Sequence, residues 1–389
     1  MAQDHAREFD VIVYGATGYT GRLVAEYLAL TYPTGVRWAM AGRSGSKLEQ
    51  VREAMNVPAD VPLVTADAEA PASLREMCAR ATVVITTVGP YQLYGSDLVA
   101  ACAETGTAYV DLCGEPAWMR EMIDAHHAAA RASGARIVFS CGFDSVPFDL
   151  GVLTLQEAAV SRLGRPVSRI KGRVRSMKGG FSGGTAASLK ATMAAAAKKP
   201  SLIPLLADPF ALTPGHKGPN QPSGLLPEYD PTIHSWVAPF VMAPINTKNV
   251  HRTNFLLGQP WGDMVYDEMV VTGLGDMGRA AAEALGKLNP FGGDKGPKPG
   301  EGPTKEEREA GSFDILFVGL TDAGDRIDAV VTGDRDPGYG CTCKMLAESA
   351  LCLVEDVRGA GGIWTPGALM GTKLRDRLVA RAGMTFTVE

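Results

Sequence analysis

The sequence predicts an α/β fold in which a doubly wound parallel sheet precedes a second α+β domain that carries an open mixed sheet. Three observations support this fold class. Six short apolar runs alternate with helical segments over residues 1–150. A glycine-rich turn joins the first apolar run to the first helix. Beyond residue 150, four further strand-like runs with flanking helices suffice for a second sheet.

The chain is long and mildly acidic. Its 389 residues fit two or three domains, and we place the first over 1–150 and a substrate or dimerisation domain over 151–360. With 38 Lys+Arg against 43 Asp+Glu, the net charge is −5. A surface that tracks phosphates needs a basic excess, which argues against nucleic acid as the main partner. A homodimer is expected because two-fold dimers are the commonest oligomers.

Targeting signals are not evident in the sequence. There is no run of 18 apolar residues, so no transmembrane helix is predicted. The first residues, MAQDHAREFDVIVYG, lack the basic and apolar regions of a signal peptide. Seven scattered cysteines are typical of reduced thiols rather than of a disulfide framework. We expect a cytoplasmic protein, and peripheral contact with the inner face of the cell membrane stays open.

The first 150 residues contain six strand-like runs. In chain order they are FDVIVY (9–14), VRWAMA (36–41), VPLVTA (61–66), ATVVITTV (81–88), TAYVDL (107–112) and ARIVFS (135–140). Short apolar strands of this kind are buried on both faces, as a parallel sheet requires. The helical segments between them imply right-handed crossovers. A ligand is therefore expected at the carboxyl ends of the strands, where the strand order reverses.

A glycine loop lies at that edge, between the first run and the first helix. Gly15, Gly18 and Gly21 follow a GxxGxxG spacing, which leaves backbone N–H groups free to approach a pyrophosphate at the helix N-terminus. The hydroxyls of Thr17 and Thr20 are further donors. The alternative is a turn that binds nothing. The pattern favours the dinucleotide site of a Rossmann domain.

The end of the second run indicates the form of the cofactor. An NAD enzyme usually places Asp or Glu there, against the ribose 2′-hydroxyl. Here the residues are Gly42, Arg43 and Ser44, with Lys47 one turn later. A guanidinium, a hydroxyl and an ammonium suit a 2′-phosphate, so the sequence predicts NADP(H). The alternative is that Arg43 caps a helix or is solvated.

Later strand ends supply further candidates. Asp67 either accepts from the adenine amino group or caps the next helix. The turn after the fourth run is expected to pass the nicotinamide ribose, with Tyr91 or Tyr94 facing the nicotinamide or donating a proton. The alternative for either tyrosine is an aromatic ring packed under the loop. Asp144, after the sixth run, is the best-placed carboxylate near a substrate, although helix capping competes.

We expect the cofactor to contact these residues: Gly15, Ala16, Thr17, Gly18, Tyr19, Thr20, Gly21, Arg43, Ser44, Lys47, Asp67, Thr87, Val88, Gly89, Pro90, Tyr91 and Gly114. The candidate catalytic residues are Tyr91 and Asp144. We expect no metal site, because the chain has no HExxH motif, no paired CxxC motifs and no acidic cluster.

The second half contains a literal GxGxxG at Gly273, Gly275 and Gly278. We interpret it as a strand-to-helix turn and not as a cofactor site, because no second strand with a ribose-binding residue follows. Residues 291–311 are rich in glycine and charge and predict a mobile surface loop. Residues 200–231 hold 8 of the 25 prolines together with apolar residues. They form either a lid or contact face, or an ordered wrap over the core.

Several longer motifs resemble one known family. They are GATGYTGRLVAEYL, AGRS with Lys47, TTVGPY, YVDLCGE, CGFDSVPFDLG and GGIWTPGALMGTKL. Together they resemble the saccharopine dehydrogenase-like oxidoreductases, and most of all the actinobacterial branch that includes the mycobacterial trans-acting enoyl reductase. The resemblance implies NADP binding at Gly15, Gly18, Gly21 and Arg43. It also implies a C-terminal segment, 361–389, that rejoins the first domain.

The resemblance leads to three hypotheses. The first is an NADPH-dependent reductase of an enoyl or carbonyl group in an apolar lipid or acyl-carrier-bound intermediate. The second is an amino-acid dehydrogenase, whose substrate carboxylates would need Arg173 and Arg175. The third is a non-catalytic NADP-binding protein of a lipid surface. An apolar pocket would favour the first hypothesis, and a polar pocket lined by arginines would favour the second. Cofactor binding without turnover would favour the third.

Overall fold

The computed structural model describes residues 7–179, 183–287 and 300–389. It contains two seven-stranded sheets, the first parallel and the second mixed. The predicted α/β fold class is thereby confirmed. Residues 291–299 of the predicted mobile loop lie outside the described residues.

The first half of the described chain alternates strand and helix. Its elements are β1 (Phe9–Tyr14), α1 (Tyr19–Thr31), β2 (Trp38–Gly42), α2 (Gly45–Ala54), β3 (Leu63–Thr65), α3 (Pro71–Arg80), β4 (Ala81–Thr86), α4 (Tyr91–Tyr94), α5 (Ser96–Thr105), β5 (Ala108–Val110), α6 (Pro116–Ser133) and β6 (Arg136–Val138).

The second half is less regular. Its elements are α7 (Val146–Leu163), β7 (Arg169–Lys178), α8 (Gly183–Lys198), α9 (Leu202–Ala207), β8 (Glu228–Asp230), β9 (Ser235–Pro239), α10 (Ala243–Leu256), β10 (Val265–Gly273), α11 (Gly275–Lys287), α12 (Lys305–Glu309), β11 (Ser312–Leu320), β12 (Arg326–Gly333), a π-helical turn (Pro337–Cys341), α13 (Thr342–Glu355), β13 (Gly362–Trp364), α14 (Pro366–Leu369), α15 (Gly371–Arg381) and β14 (Met384–Val388).

The first sheet has the strand order β13-β6-β5-β4-β1-β2-β3. Strand β1 pairs in parallel with β2 on one side and with β4 on the other, and so lies where the order reverses. Its central residues are fully buried, as expected for a strand covered on both faces. Ligands of such sheets bind at the carboxyl ends of the strands beside this reversal, which is the position of the glycine loop.

The second sheet has the order β14-β12-β11-β7-β10-β9-β8. Strands β7 and β10 pair in parallel, whereas β11 pairs with β7 and β12 in antiparallel fashion. Helix α7 follows β6 of the first sheet directly and packs on the second sheet. A Cβ added to Gly151 would lie 2.4 Å from the Phe317 ring, so this glycine permits close packing of the helix on β11. One continuous hydrophobic core joins the two sheets.

The C-terminal residues contribute to both sheets. Strand β13 pairs in parallel with β6 of the first sheet, and β14 pairs with β12 of the second. Helix α13, which we assigned to the second domain, packs on β4 and β5 and against α1. The chain therefore returns to the first sheet before residue 361, and the boundary at residue 360 stays a prediction.

Candidate functional site

The glycine loop closes the gap between β1 and α1. Gly15 adopts a φ of +85°, which favours glycine. A Cβ on Gly21 would lie 2.2 Å from the Gly15 carbonyl oxygen, so only glycine lets the helix approach the turn this closely. No side chain caps α1 at Gly18, and no acidic residue lies in its first turn. Uncapped N–H groups and a bare backbone fit a pyrophosphate.

Two threonines of the loop keep their hydroxyls available. Thr17 is exposed and Thr20 is half-buried. Neither hydroxyl donates to or accepts from another group in the described part of the chain. The amide groups of Gly15 and Ala16, by contrast, donate to the Ala41 carbonyl at 2.9 and 3.1 Å and fix the loop to β2.

The turn after β4 is in direct contact with the glycine loop. Thr87 Oγ1 donates to the Gly15 carbonyl at 3.2 Å, and the Thr87 amide donates to the Tyr14 carbonyl at 3.0 Å. Val88 packs beside the same loop, since a Cβ on Gly15 would lie 2.8 Å from Val88 Cγ2. Gly89 is exposed and is followed by Pro90 through a cis peptide bond. The structure therefore brings the two predicted parts of the cofactor site together.

The end of β2 carries an unpaired arginine. Arg43 is exposed and forms no hydrogen bond or ion pair within the described residues. Ser44 is the N-cap of α2, and its hydroxyl accepts from the Lys47 amide at 3.4 Å. The alternative that Arg43 itself caps α2 is thus not seen. An exposed, unpaired guanidinium agrees with the alternative of a solvated arginine, and together with the exposed ammonium of Lys47 it is also available to a 2′-phosphate.

Asp67 lies at the same edge, after β3. Its Oδ1 accepts from the Glu69 amide at 3.1 Å, which is a turn of three residues and not a cap of α3. The charges of Asp67 and Arg43 both act on the phenol of Tyr14. Burial, with a contribution from Asp67, raises the pKa of Tyr14 to about 12, while Arg43 opposes the shift. The ends of β1, β2 and β3 thus converge.

Tyr91 lies beneath the turn and not at its surface. Its side chain is only 4% exposed, donates to the Thr86 carbonyl at 3.2 Å and accepts from the Leu112 amide at 3.3 Å. Burial raises its pKa well above the usual value. The structure therefore supports the alternative of a packed aromatic ring, because an enclosed phenol with both partners engaged does not reach a substrate. Tyr94 is 42% exposed.

Asp144 lies in the turn between β6 and α7. It is half-buried, and its carboxylate has no hydrogen-bond partner among the described residues. It does not cap α7, whose N-cap is Ser145 and has no side-chain capping bond. Burial raises the pKa of Asp144 to about 7, which leaves it partly protonated at neutral pH. Asn249 of α10 donates to Ser145 Oγ at 2.6 Å and holds this turn.

Glu115 is a residue that the sequence analysis missed. It is buried, and its carboxylate accepts from the amides of Tyr91 and Gln92 at 2.9 and 2.8 Å. Ser188 of α8 donates to the same carboxylate at 2.7 Å. Glu115 thereby ties the turn after β4 to a helix of the second half. Gly114, directly before it, faces open space. Only the position of Glu115 at a strand end could have indicated this role.

Asp111, at the end of β5, was also missed as a positioning residue. It is fully buried and accepts from the Cys113 and Ser140 amides at 3.0 and 2.8 Å and from the Tyr109 hydroxyl at 2.7 Å. It therefore joins the segments that follow β5 and β6, in which Gly114 and Asp144 lie. Burial raises the pKa of Asp111 to about 7.

Part of the predicted loop 291–311 is ordered against the glycine loop. Residues 305–309 form α12, with a capping box between Thr304 and Glu307. The Tyr19 hydroxyl donates to the Pro303 carbonyl, and Arg308 donates to the Tyr19 hydroxyl at 2.8 Å. The loop prediction is thus wrong for 305–309, because a capping box stabilises a helix there. The mobility of the segment stays a prediction.

The remaining candidates of the second half lie away from this edge. Gly273, Gly275 and Gly278 join β10 to α11, and a Cβ on Gly278 would lie 2.2 Å from the Gly273 carbonyl oxygen. Arg173 is fully buried and bonds to Asp230 and Asp267, each at 2.8 Å. Its guanidinium is therefore engaged within the sheet.

Two further basic side chains lie on β7 and α8. Arg175 pairs with Asp314 at 2.8 Å on the sheet. Lys190 is exposed on α8. Residues 210–213 of the proline-rich stretch are buried, so this part wraps over the core, whereas Ile203, Leu225 and Leu226 are exposed.

The described ranges, 7–179, 183–287 and 300–389, contain no group of three or more His, Cys, Asp or Glu side chains placed to hold a metal ion. None of their helices combines the length and apolar character that crossing a membrane requires. All seven cysteines are buried and free.

Comparison with known proteins adds three findings. Residues 11–138 match the family described as saccharopine dehydrogenase NADP binding domain. The chain is 42% identical over 409 residues to a Mycobacterium tuberculosis protein with the provisional name trans-acting enoyl reductase, covering 98% of this chain and 97% of that protein. It is 36% identical over 416 residues to the trans-acting enoyl reductase of Mycobacterium leprae, covering 96% of each.

A solved structure shares the fold. It is the apo saccharopine dehydrogenase (L-Glu forming) from Saccharomyces cerevisiae, with a TM-score of 0.55 and 9% sequence identity. The comparison covers 98% of this chain and 100% of that chain. At such low identity, the likeness concerns the fold alone.

Proposed function

We propose a function from this premise: the chain belongs to the saccharopine dehydrogenase-like oxidoreductases, in the branch of the mycobacterial trans-acting enoyl reductases. It is an NADP-dependent oxidoreductase. The proposed reaction is reduction of the carbon–carbon double bond of an apolar 2-enoyl thioester, free or bound to an acyl carrier. The names of the relatives support the bond, and the apolar residues around α8 and α9 support the substrate class.

The residues at the carboxyl edge of the first sheet fit the cofactor. In this proposal the amides of α1 hold the pyrophosphate, Arg43 and Lys47 hold the 2′-phosphate, and the turn from Thr87 to Pro90 lies along the nicotinamide ribose. The tight turn at Gly15 and Gly21 supports this, because a Cβ at either position would meet the loop's own backbone or the Thr87 turn and would displace the amides at the start of α1. When bound, NADPH supplies the hydride that adds to Cβ of the substrate.

The carboxyl group of Asp144, which has no hydrogen-bond partner among the described residues, is the observation that carries the proposed chemistry. This carboxyl group is partly protonated at neutral pH, so in this proposal it delivers a proton to Cα of the substrate. The π bond is lost, one hydrogen is gained at each carbon, and the product is a saturated thioester. Glu115 and Asp111 position the turns around this group and do not themselves contact the substrate.

The test is turnover with thioesters of increasing acyl length. We expect oxidation of NADPH with 2-enoyl thioesters, with kcat/KM rising as the chain lengthens. Asp144→Asn should lower kcat by about 100-fold or more, without a matching change in NADPH affinity. Binding of NADPH with no turnover on any enoyl or carbonyl thioester would instead support a non-catalytic lipid-surface protein. Preference for an amino acid would support a saccharopine-type dehydrogenase.

The proposal includes a cytoplasmic homodimer with peripheral membrane contact. Exposed apolar side chains at the two ends of α11 support the dimer: Leu274 (70% exposed) and Met277 (87%) at its start, and Leu226 (73%) beside Pro227, which approaches Gly286 at its end. Exposed apolar side chains in such number are typical of subunit interfaces.

A further inference from the structure

Helix α8 has two different faces. One face rests on the candidate site: Ser188 donates to Glu115 at 2.7 Å, and the Gln92 amide group donates to Thr192 Oγ1 at 3.3 Å. Ser188 and Thr192 are four residues apart and thus lie on one side of the helix. The helix therefore contacts the turn that carries Gln92, beside the candidate site.

The opposite face of α8 is exposed. At 100° per residue, Lys190, Met193 and Lys198 project within one arc that points away from Ser188 and Thr192. All three are exposed, and the Met193 side chain is exposed by 63%.

The exposed apolar surface continues onto α9 and α4. Ile203 of α9 is 56% exposed, and Leu93 of α4, beside Gln92, is 62% exposed. Tyr94 adds an amphipathic ring at 42%. No residue of α9 is buried. Helices α4, α8 and α9 thus each carry exposed apolar side chains.

The charge of this segment is opposite to that of the chain. Residues 183–207 contain Lys190, Lys198 and Lys199 but no Asp or Glu, whereas the whole protein has a net charge of −5. Attraction to an anionic surface would therefore be local to this segment. We name Leu93, Lys190, Met193, Lys198, Lys199 and Ile203 the lysine face.

We propose that the lysine face docks on an anionic lipid bilayer and holds the candidate site close to the membrane surface. The inference rests on the proposed function, because an apolar substrate would be drawn from lipid. Interfacial helices combine apolar side chains with lysines whose stems lie along the surface while the ammonium groups stay in water. Protein interfaces, in contrast, are depleted of lysine and enriched in arginine and aromatic residues. The composition of α8 and α9 therefore favours lipid over an acidic protein.

The test measures binding to vesicles, using the full-length protein with NADPH and no substrate. We expect flotation with vesicles of phosphatidylcholine mixed with phosphatidylglycerol, and none with phosphatidylcholine alone. Each lysine near an anionic surface contributes about fivefold, so K190Q/K198Q/K199Q should lower the partition coefficient by about 100-fold. Replacing Met193 and Ile203 with serine should also lower it while the lysines remain.

The matched control removes three charges elsewhere. Arg131, Lys287 and Lys373 are exposed outside the lysine face, and their triple substitution with glutamine should leave vesicle binding within about twofold. Equal losses for both triple variants, or equal binding to neutral and anionic vesicles, would overturn the proposal. So would capture by an acidic carrier protein without vesicle binding.

Reduction of a soluble short-chain enoyl thioester, measured without vesicles, separates the two proposals. If this activity is absent but vesicles still bind, the proposed function fails and the docking surface stands. If activity is present and unchanged in the lysine variant while vesicles never bind, only the docking surface fails.

Discussion

Thr87 Oγ1 donates a hydrogen bond to the Gly15 carbonyl oxygen at 3.2 Å and so joins the ends of two neighbouring strands, β1 and β4. The space around this bond is full, since a Cβ on Gly15 would lie 2.8 Å from both Thr87 Oγ1 and Val88 Cγ2. The glycine loop and the turn after β4 therefore form one wall. A change in either part should alter cofactor binding as a whole.

Gly21→Ala is expected to weaken NADPH binding. The added Cβ would meet the Gly15 carbonyl carbon and oxygen at 2.7 and 2.2 Å, and backbone cannot yield as a flexible side chain does. We expect Kd for NADPH, measured by fluorescence titration, to rise by about tenfold or more. Gly359→Ala is the control, because its Cβ would meet only Leu369 at 3.4 Å. An unchanged Kd for G21A would contradict a pyrophosphate site at this loop.

Arg43→Ala is expected to separate the two nicotinamide cofactors. Losing a charged hydrogen bond to the 2′-phosphate should raise Kd for NADPH by about 10- to 100-fold, while Kd for NADH, which lacks that phosphate, stays within about twofold. Arg75→Ala serves as the control, since Arg75 is an exposed arginine paired with Glu104 away from β2. Equal losses for both cofactors would show that Arg43 supports the fold and not the phosphate.

The first half of the fold could be predicted because its signals are local. Apolar strands, glycine turns and helices alternate there within short distances, and all six strands follow predicted runs. Helix α10 was missed because its buried face is polar. Arg252, for example, is only 3% exposed and donates to the Leu212 and Ile363 carbonyls. Apolar periodicity does not detect a helix whose polar groups are satisfied by distant residues.

The roles of individual site residues were harder to predict than their positions. Tyr91 was placed correctly in the chain, but its burial depends on Trp118 and on Glu115, 24 residues away. No pattern around Tyr91 reveals that partner. Short strands gave the same difficulty: β13 has only three residues and is defined by its pairing with β6. Long-range pairing of this kind is not encoded in neighbouring residues.

The pH profile should identify Asp144 as the acid. Burial raises its pKa to about 7, so the protonated form predominates below that value and is lost as the pH rises through it. We expect kcat with an enoyl thioester to fall about tenfold for each pH unit above 7. Asp144→Asn should give a low kcat that does not fall as the pH rises through 7. Asp60→Asn, which alters an exposed carboxyl group, should keep the profile. If kcat of D144N still falls above pH 7, another group supplies the proton.

Leu226→Asp with Met277→Asp is expected to weaken a dimer. Both side chains are more than 70% exposed, at 73% and 87%, and burying a carboxylate there would oppose association. Sedimentation velocity should show the wild type as a dimer. For the variant, we expect the same measurement to give a dimer Kd that is higher by about 30-fold or more. Leu30→Asp is the control, since Leu30 is 75% exposed on α1. A monomeric wild type would refute the proposed dimer.

Asp230→Asn is expected to destabilise the second sheet. Asp230 accepts from Lys171 and from the fully buried Arg173, each at 2.8 Å. Removing its charge leaves Arg173 without one of its two carboxylates, so the free energy of unfolding in urea should fall by about 3–5 kcal/mol. Asp314→Asn breaks the exposed pair with Arg175 and should cost about 0–1 kcal/mol.

The same variant has a predictable pH dependence. Although burial disfavours its charge, Lys171 and Arg173 hold the pKa of Asp230 well below the usual value. A carboxylate with a lowered pKa contributes stability that is present above its unfolded pKa of about 3.9 and is lost as the pH falls towards the folded value. The difference in unfolding free energy between wild type and D230N should therefore be constant near neutral pH and narrow below about pH 4. A difference that stays constant into acid would mean that Asp230 acts through packing and not through its charge.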